Sequence, residues 1–552
     1  MGSAVAPVLW SDVDVPIDAL AVPRTQRQLG AFYTPSQAAS FMAQWAIRRD
    51  GERVIEPSMG DGQFLRAIAV HAERSDYHDI EAWGVELDQE TYRTTIGGGV
   101  VEPERAILGD FLQVDPFPVD IAIGNPPYVR LRHLPAMEAE RGRLIGSAGM
   151  GTQMDPAGSI WLPFVIHATD FLRDGGRLAF VLPFDLTYVR YAKPLWRFLG
   201  REFGSLRVIR VHERLFPELL QDVVLLLADD RGSTTSSVQY DCFERRSDLL
   251  GGSAIVNARL DLARVVSDER PFMEALLPRA LRSLLDGKVR EVTIPMRDQV
   301  TWNIGYVSGD KTFFHPSADT ITECDLPSSS LVPAISSGRR ATKHGLMTAG
   351  LPGSASQQLF LPPADASRLT GGDRTYIEHG RSTAVHRRYK CRIREPWYVT
   401  PGVRTPDIVM PVFADRPVLL VNDGLFAVSN SMLAGYLRTG SAEQVAAAWY
   451  TSLTLLQVEL AVHSLGGGVL VMVPREAGSI RIPGAASTGS LSAIDADLRS
   501  GAFEGAYERG DTSTLHEICG LSSDDIESVR EGIGILRRWR RSGGTATTGT
   551  SA

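Results

Sequence analysis

Between residues 52 and 229, short apolar runs alternate with stretches whose apolar residues recur at helical spacing. Alternation of this kind builds strand-helix-strand units and, from them, a mostly parallel sheet clad by helices. Nothing else in the chain narrows the fold as far. Strands are predicted at 53–55, 82–85, 106–108 and 119–124, with further ones at 177–182, 208–211 and 222–228. Phe64, Leu65 and Ile68 share one face of the helix that opens after Asp61. Ile160, Phe164, Ala168, Phe171 and Leu172 mark a later helix as core, which Asp174-Gly175-Gly176 is expected to end.

Parallel sheets bind ligands outside the carboxyl ends of their strands, so the residues that follow each strand carry the functional information. The first strand runs into Glu56-Pro57-Ser58-Met59-Gly60-Asp61-Gly62, where Gly60 and Gly62 allow a sharp bend and close approach of a ligand. Alone, a glycine pair is as readily a tight connection. The second strand ends in Glu86-Leu87-Asp88, placing a carboxylate about 24 residues past Gly62, where a nucleotide site grips ribose hydroxyls. The third ends in Gly109-Asp110-Phe111, an acceptor for an adenine amine beside an aromatic ring. Any one of these acids reads as a helix cap or loop residue. Three consecutive strand ends delivering such groups to one sheet edge favour a cofactor crevice.

The fourth apolar run, 119–124, leads straight into Asn125-Pro126-Pro127-Tyr128. Consecutive prolines stop the strand and stiffen the loop, which holds the asparagine in place. Its amide oxygen and the Pro126 carbonyl both accept hydrogen bonds from a planar NH2 group, drawing the nitrogen lone pair out of conjugation. Tyr128 offers a face on which a base stacks. A proline-rich turn with a satisfied asparagine is the plainer alternative, disfavoured by the position at a sheet tip.

With these residues assembled, the chain resembles the TaqI-like gamma class of N6-adenine DNA methyltransferases over its first 230 residues. Phe32-Tyr33-Thr34-Pro35 is similar to that family's N-terminal cofactor motif, and Glu56 to Phe64 to its glycine-rich motif, with Pro57 and Ser58 inside it. Glu86, with Leu87 beside it, is similar to the ribose-binding segment, and Asp110-Phe111 to the adenine contacts. Asn125 to Tyr128 is similar to the catalytic tetrapeptide, of which Asn125 and Pro127 also border the cofactor. In Leu215-Phe216-Pro217, Phe216 stands where the family carries a second aromatic that sandwiches a flipped base. Glu56 departs from the aspartate of many members, and the longer acid still reaches a methionine amine.

The resemblance implies a Rossmann-like S-adenosylmethionine-dependent methyltransferase fold, transfer to adenine N6, and neither metal nor covalent cysteine. It implies double-stranded DNA as partner, a monomeric enzyme, and a cognate restriction endonuclease on a separate chain. About 60 residues separate Gly62 from Asn125, too few for a recognition domain, so recognition is expected downstream. The expected division is a catalytic domain at 1–245, a mixed α+β DNA-recognition domain at 246–540 and a disordered tail at 541–552.

The second half supports this division. Over residues 331–400, 11 Lys and Arg stand against 4 Asp and Glu, although the whole chain carries a net charge of -8. Arg381, His386, Arg387, Arg388, Tyr389, Lys390, Arg392 and Arg394, leading to Trp397-Tyr398, form a cationic strip interleaved with aromatics, as phosphate and base-edge contacts require. Gly466-Gly467-Gly468 suggests close backbone approach, to DNA or to a neighbouring strand, and the cluster Arg537-Arg538-Trp539-Arg540-Arg541 suggests unspecific phosphate affinity. The four scattered cysteines signal neither disulfides nor zinc and read as buried free thiols. No apolar stretch is long enough for a bilayer and the first residues lack a secretory pattern, so a cytoplasmic protein is expected. Two other readings fit the tetrapeptide: a protein-glutamine or RNA methyltransferase, and a DNA-binding subunit active only within a complex.

Overall fold

The computed structural model describes residues 34–216, 222–267, 270–465 and 467–541. Tyr33, Pro217, Gly466 and the expected tail beyond Arg541 lie outside the described residues. The chain divides into two compact units, the first ending at Ala275 and the second spanning Leu276–Arg541.

The first unit is built on a nine-stranded sheet: β1 (Arg53–Glu56), β2 (Glu81–Glu86), β3 (Ala106–Leu108), β4 (Val119–Gly124), β5 (Leu172–Pro183), β6 (Phe203–Val211), β7 (Val223–Arg231), β8 (Ser237–Phe243) and β9 (Val256–Asp261). Their order is β3-β2-β1-β4-β5-β7-β6-β8-β9. Neighbours from β3 to β5 pair in parallel, whereas β7 runs antiparallel between β5 and β6, so the sheet is parallel at its centre and mixed at one side. Every residue of β4 is buried, as an apolar strand covered on both faces must be. Between β1 and β4 the strand order reverses, the point at which sheets of this kind bind ligands beyond the carboxyl ends of their strands. Helices α1 (Ser36–Ala46), α2 (Gln63–Arg74), α3 (Gln89–Gly97), α4 (Ala136–Met150) and α5 (Trp161–Phe171) flank this central region in sequence.

The opposite edge is tied by charge. Asp120 accepts from the Arg53 backbone N–H at 2.9 Å and lies 3.4 Å from Arg173, while buried Glu52 pairs with buried Arg177. These acids are structural, because each has a cation or backbone donor that neutralises the cost of its burial.

Two expectations are corrected. The helix marked as core ends at Phe171, not at Asp174-Gly175-Gly176: Leu172 is already extended and pairs with Val119. The next pair joins Arg177 to Ile121, so 173–176 bulge out of β5, with Gly175 at φ 75° making the bend. The domain boundary also falls beyond 245. Strand β9 pairs antiparallel with β8, and Phe272 packs on Trp196 and Tyr240 at ring separations of 5.7 and 5.1 Å, which binds the chain to the first sheet as far as Ala275.

The second unit is mixed α and β. Its largest sheet has four strands, including Val300–Ile304, Met432–Leu437 and Ile408–Pro411, and a three-stranded sheet joins Gln357–Phe360, Leu331–Ile335 and Ala427–Val428. Part of the basic cluster near its end is spent within the unit. Arg540, 6% exposed, donates to both oxygens of buried Glu459 at 2.7 and 3.0 Å and to the Gly468 carbonyl, while Arg541 pairs with Asp415. The close approach at Gly468 is therefore to this C-terminal helix, since a side chain there would stand 2.9 Å from Arg541. All four cysteines are free thiols, three buried and Cys324 partly exposed. Among the described residues no helix is long and apolar enough to cross a membrane.

Candidate active site at the strand tips

The glycine turn after β1 is shaped by two left-handed residues, Gly60 at φ 51° and Gly62 at φ 77°. They differ in purpose. A side chain at Gly60 would meet nothing within 4 Å, whereas one at Gly62 would stand 2.5 Å from Val100. Gly60 thus leaves the turn open outward, and Gly62 lets the start of α2 pack inward. The Gly60 N–H donates to Glu86 at 3.0 Å, and the Asp88 N–H donates to the other Glu86 oxygen at 2.8 Å. Each Glu86 oxygen retains a further lone pair, while burial raises its pKa. Leu87, beside it, is 58% exposed, an uncovered apolar side chain at the tip of β2.

Glu56 closes β1 with its side chain buried and Oε2 without a hydrogen-bond partner. Burial, reinforced by the nearby carboxylates of Asp61 and Glu86, pushes its pKa well above the ordinary value. A buried, unpaired acceptor among acids suits a cation such as an ammonium group.

The Asn125-Pro126-Pro127-Tyr128 corner follows β4 directly. Ser58, in the glycine turn, donates to the Asn125 carbonyl at 3.0 Å, joining the two strand tips. The Asn125 side chain is held at both ends: Nδ2 donates to Thr34 at 3.4 Å, and Oδ1 accepts from the Tyr128 hydroxyl at 2.7 Å. Among the described residues no backbone N–H donates to the Pro126 carbonyl. The Tyr128 hydroxyl also lies 3.2 Å from the Val181 carbonyl, and burial raises its pKa well above the ordinary value. The Tyr128 ring packs against the apolar cluster that contains Val181, Val211, Leu215 and Phe216, so both expected base-contacting rings share one cluster. Phe216 also lines a small cleft with Arg210, Arg214 and Asp222.

Asp110 caps the turn after β3, accepting from the Leu112 N–H at 3.0 Å and from Arg141 at 2.6 Å. Phe111 turns into the core, where it stacks on Phe171 at 5.3 Å and meets His167 edge-on. The expected pair is thus divided, with Asp110 the polar member at the tip and Phe111 packed beneath it.

The basic strip in the second unit is divided in the same way. Arg394 donates to the Val307 and Ser308 carbonyls, and Arg388 pairs with buried Asp310 at 2.8 Å. Trp397 and Tyr398 join the aromatic cluster around Phe313 and Tyr376. Arg381, Arg387 and Arg392 remain exposed, and Lys390 and Arg392 flank the exposed ring of Tyr389 at 5.4 and 5.6 Å. Sequence reasoning missed Arg141 and Arg210. A cation inside the apolar run of β6 signals Arg210, whereas nothing local distinguishes Arg141.

The reversal point of an α/β sheet, with an asparagine and an aromatic at one strand tip and a buried acceptor at the next, marks the class of proteins that bind ligands outside the carboxyl ends of their strands. Comparison with known proteins narrows that class. Residues 20–193 match the family described as N-6 DNA methylase, and residues 269–515 match the C-terminal domain of the Type II methyltransferase M.Eco57I. The Type II methyltransferase M.PaeR7I of Pseudomonas aeruginosa is 25% identical over 481 residues, covering 77% of each chain. M.AccI of Acinetobacter calcoaceticus is 21% identical over 405 residues, 70% of this chain and 72% of its own. M.XhoI of Xanthomonas vasicola is 36% identical over 208 residues, 32% of this chain and 37% of its own. The chain is an adenine-specific DNA methyltransferase, and these matches support the modification component of a restriction-modification system. The matched family implies the use of S-adenosylmethionine.

Proposed function

We propose that this enzyme acts as a gamma-class methyltransferase on an adenine flipped out of a specific duplex sequence, because N6 is out of reach of a buried cofactor inside the stack. The observation that carries the reading is the Asn125 side-chain amide, held at both ends on a stiff corner at the tip of β4, while the Asn125 backbone carbonyl accepts from Ser58 in the turn that follows Glu56.

S-adenosylmethionine, when bound, supplies an electrophilic methyl group on a sulfonium. The chain's residues fit it: Glu56 Oε2, buried without a partner, takes the methionine ammonium, and Glu86 the ribose hydroxyls. Thr34, Pro35, Gly60, Leu87 and Asp110 line the rest. Asn125 Oδ1 and the Pro126 carbonyl accept the two N6 hydrogens and so hold the nitrogen lone pair toward the methyl group. To do so, Asn125 exchanges the Tyr128 hydroxyl for the substrate amine. Tyr128 and Phe216 sandwich the ring, and their shared apolar cluster supports that role. After transfer the nitrogen releases a proton to solvent.

Arg381, Arg387, Lys390 and Arg392 contact DNA, with Arg387 and Arg392 the most available. The enzyme acts as a monomer in the cytoplasm, and its cognate endonuclease is a separate chain.

The test replaces Asn125 by alanine in the full-length protein. Transfer of labelled methyl groups to plasmid DNA falls about 1,000-fold, in line with removal of one positioned transition-state contact, while cofactor affinity changes less than about threefold. Near-normal transfer by this variant sinks the assignment. Modified-base sequencing of host DNA, with and without expression, then identifies the target.

A further inference from the structure

We infer that Arg141 is a positioning residue for the cofactor, pinning Asp110 so that one carboxylate lone pair is kept for the purine amine; this rests on the assignment of Asp110 proposed above. Arg141 lies on α4, in the segment that follows the catalytic corner, and its Nη1 reaches Asp110 Oδ2 at 2.6 Å. The two side chains are 27% and 18% exposed, and partial exclusion of water strengthens a charge-assisted bond.

An ionised carboxylate offers about four lone-pair positions. Three donors meet Asp110: the Leu112 N–H on Oδ1 at 3.0 Å, and Arg141 and Gln113 Nε2 on Oδ2 at 2.6 and 3.2 Å. Oδ2 is thereby filled, and Oδ1 keeps one position. Anchored through both oxygens, the carboxylate plane cannot turn about its bond to Cβ. A fixed acceptor takes an amino purine and repels a keto purine, which presents a second acceptor. Arg141 makes no substrate contact of its own in this scheme; it acts through Asp110. It also ties the chain just past Tyr128 to the tip of β3, so the catalytic corner and the adenine end of the crevice share a support.

The experiment measures calorimetric affinity of the full-length protein for S-adenosylhomocysteine and for its analogue with hydrogen in place of the 6-amino group. For Arg141→Met we expect about a fivefold to tenfold loss for the amino compound and less than about twofold for the analogue, the size of one charge-assisted hydrogen bond weakened rather than removed. Arg141→Lys, which keeps a charge without the planar fork, falls between wild type and Arg141→Met for the amino compound alone. Equal losses for both compounds in Arg141→Lys assign Arg141 to general structure and overturn the inference, even where the methionine variant is poorly folded. Asp110→Ala separates the two levels. If Asp110→Ala weakens both compounds equally and leaves the preference for the amino compound intact, the assignment of Asp110 falls and this inference with it. If it weakens the amino compound selectively and the Arg141 variants do not, only the role of Arg141 is overturned.

Discussion

At single residues, burial without a partner is the informative signal. Glu56 has no exposed route to water and one oxygen unpaired, so in the cofactor-free protein its charged form is disfavoured. A carboxyl whose pKa is raised on folding contributes stability below its unfolded value and loses it as pH rises through the folded value. A cofactor ammonium held at Glu56, as proposed above, would reverse this preference by pairing with the ionised form. Cofactor affinity is therefore expected to rise as pH climbs through the raised pKa and to be weaker on the acid side, as measured by calorimetry. Glu56→Gln flattens that profile, weakens cofactor binding by about 10-fold or more, and stabilises the cofactor-free protein by about 1 kcal/mol in thermal unfolding. A pH-independent affinity in the wild-type protein counts against the ammonium assignment. Glu56 was legible as a strand-end acid in the chain itself. That its second oxygen is unpaired was not, because pairing depends on Asp61, Glu86 and the α2 backbone converging from different segments.

Among elements, the glycine turn between β1 and α2 separates two costs that one motif conceals. Both glycines have positive φ, a conformation that costs an ordinary residue about 1 to 2 kcal/mol. Gly62 carries an added clash with Val100, and overpacking of that kind costs about 1 to 3 kcal/mol more. Gly62→Ala is thus expected to lower the unfolding midpoint of the first unit clearly more than Gly60→Ala does. Equal destabilisation would show that Val100 moves aside freely. Strand positions along the chain were readable from periodicity: β3 and β4 lie where the apolar runs place them. The bulge at 173–176 was misread as a helix end, because an Asp-Gly-Gly run suits a helix stop and a strand bulge equally well, and only pairing with β4 decides between them.

For the whole molecule, charge has to be sorted by where it is spent. The strip around Arg388 reads as uniformly basic in the chain, yet Arg394 serves the Val307 and Ser308 carbonyls while Arg387 and Arg392 face water. Arg387→Ala with Arg392→Ala is expected to weaken binding to all duplexes and to lower the slope of log affinity against log salt by about 0.9 per lost phosphate contact. Arg394→Ala is expected to destabilise the second unit with the salt slope retained. If the double variant leaves the slope unchanged, that face is not where DNA binds. The chain by itself determined the α/β class, the sequence of strand-end motifs and the stiff Asn125-Pro126-Pro127-Tyr128 corner, because strand periodicity and proline stiffness are local properties. Tertiary structure alone decided which of those polar groups remain available, because a charge is spent or kept by neighbours far away in sequence: Arg141 on Asp110, Glu459 on Arg540, Asp310 on Arg388.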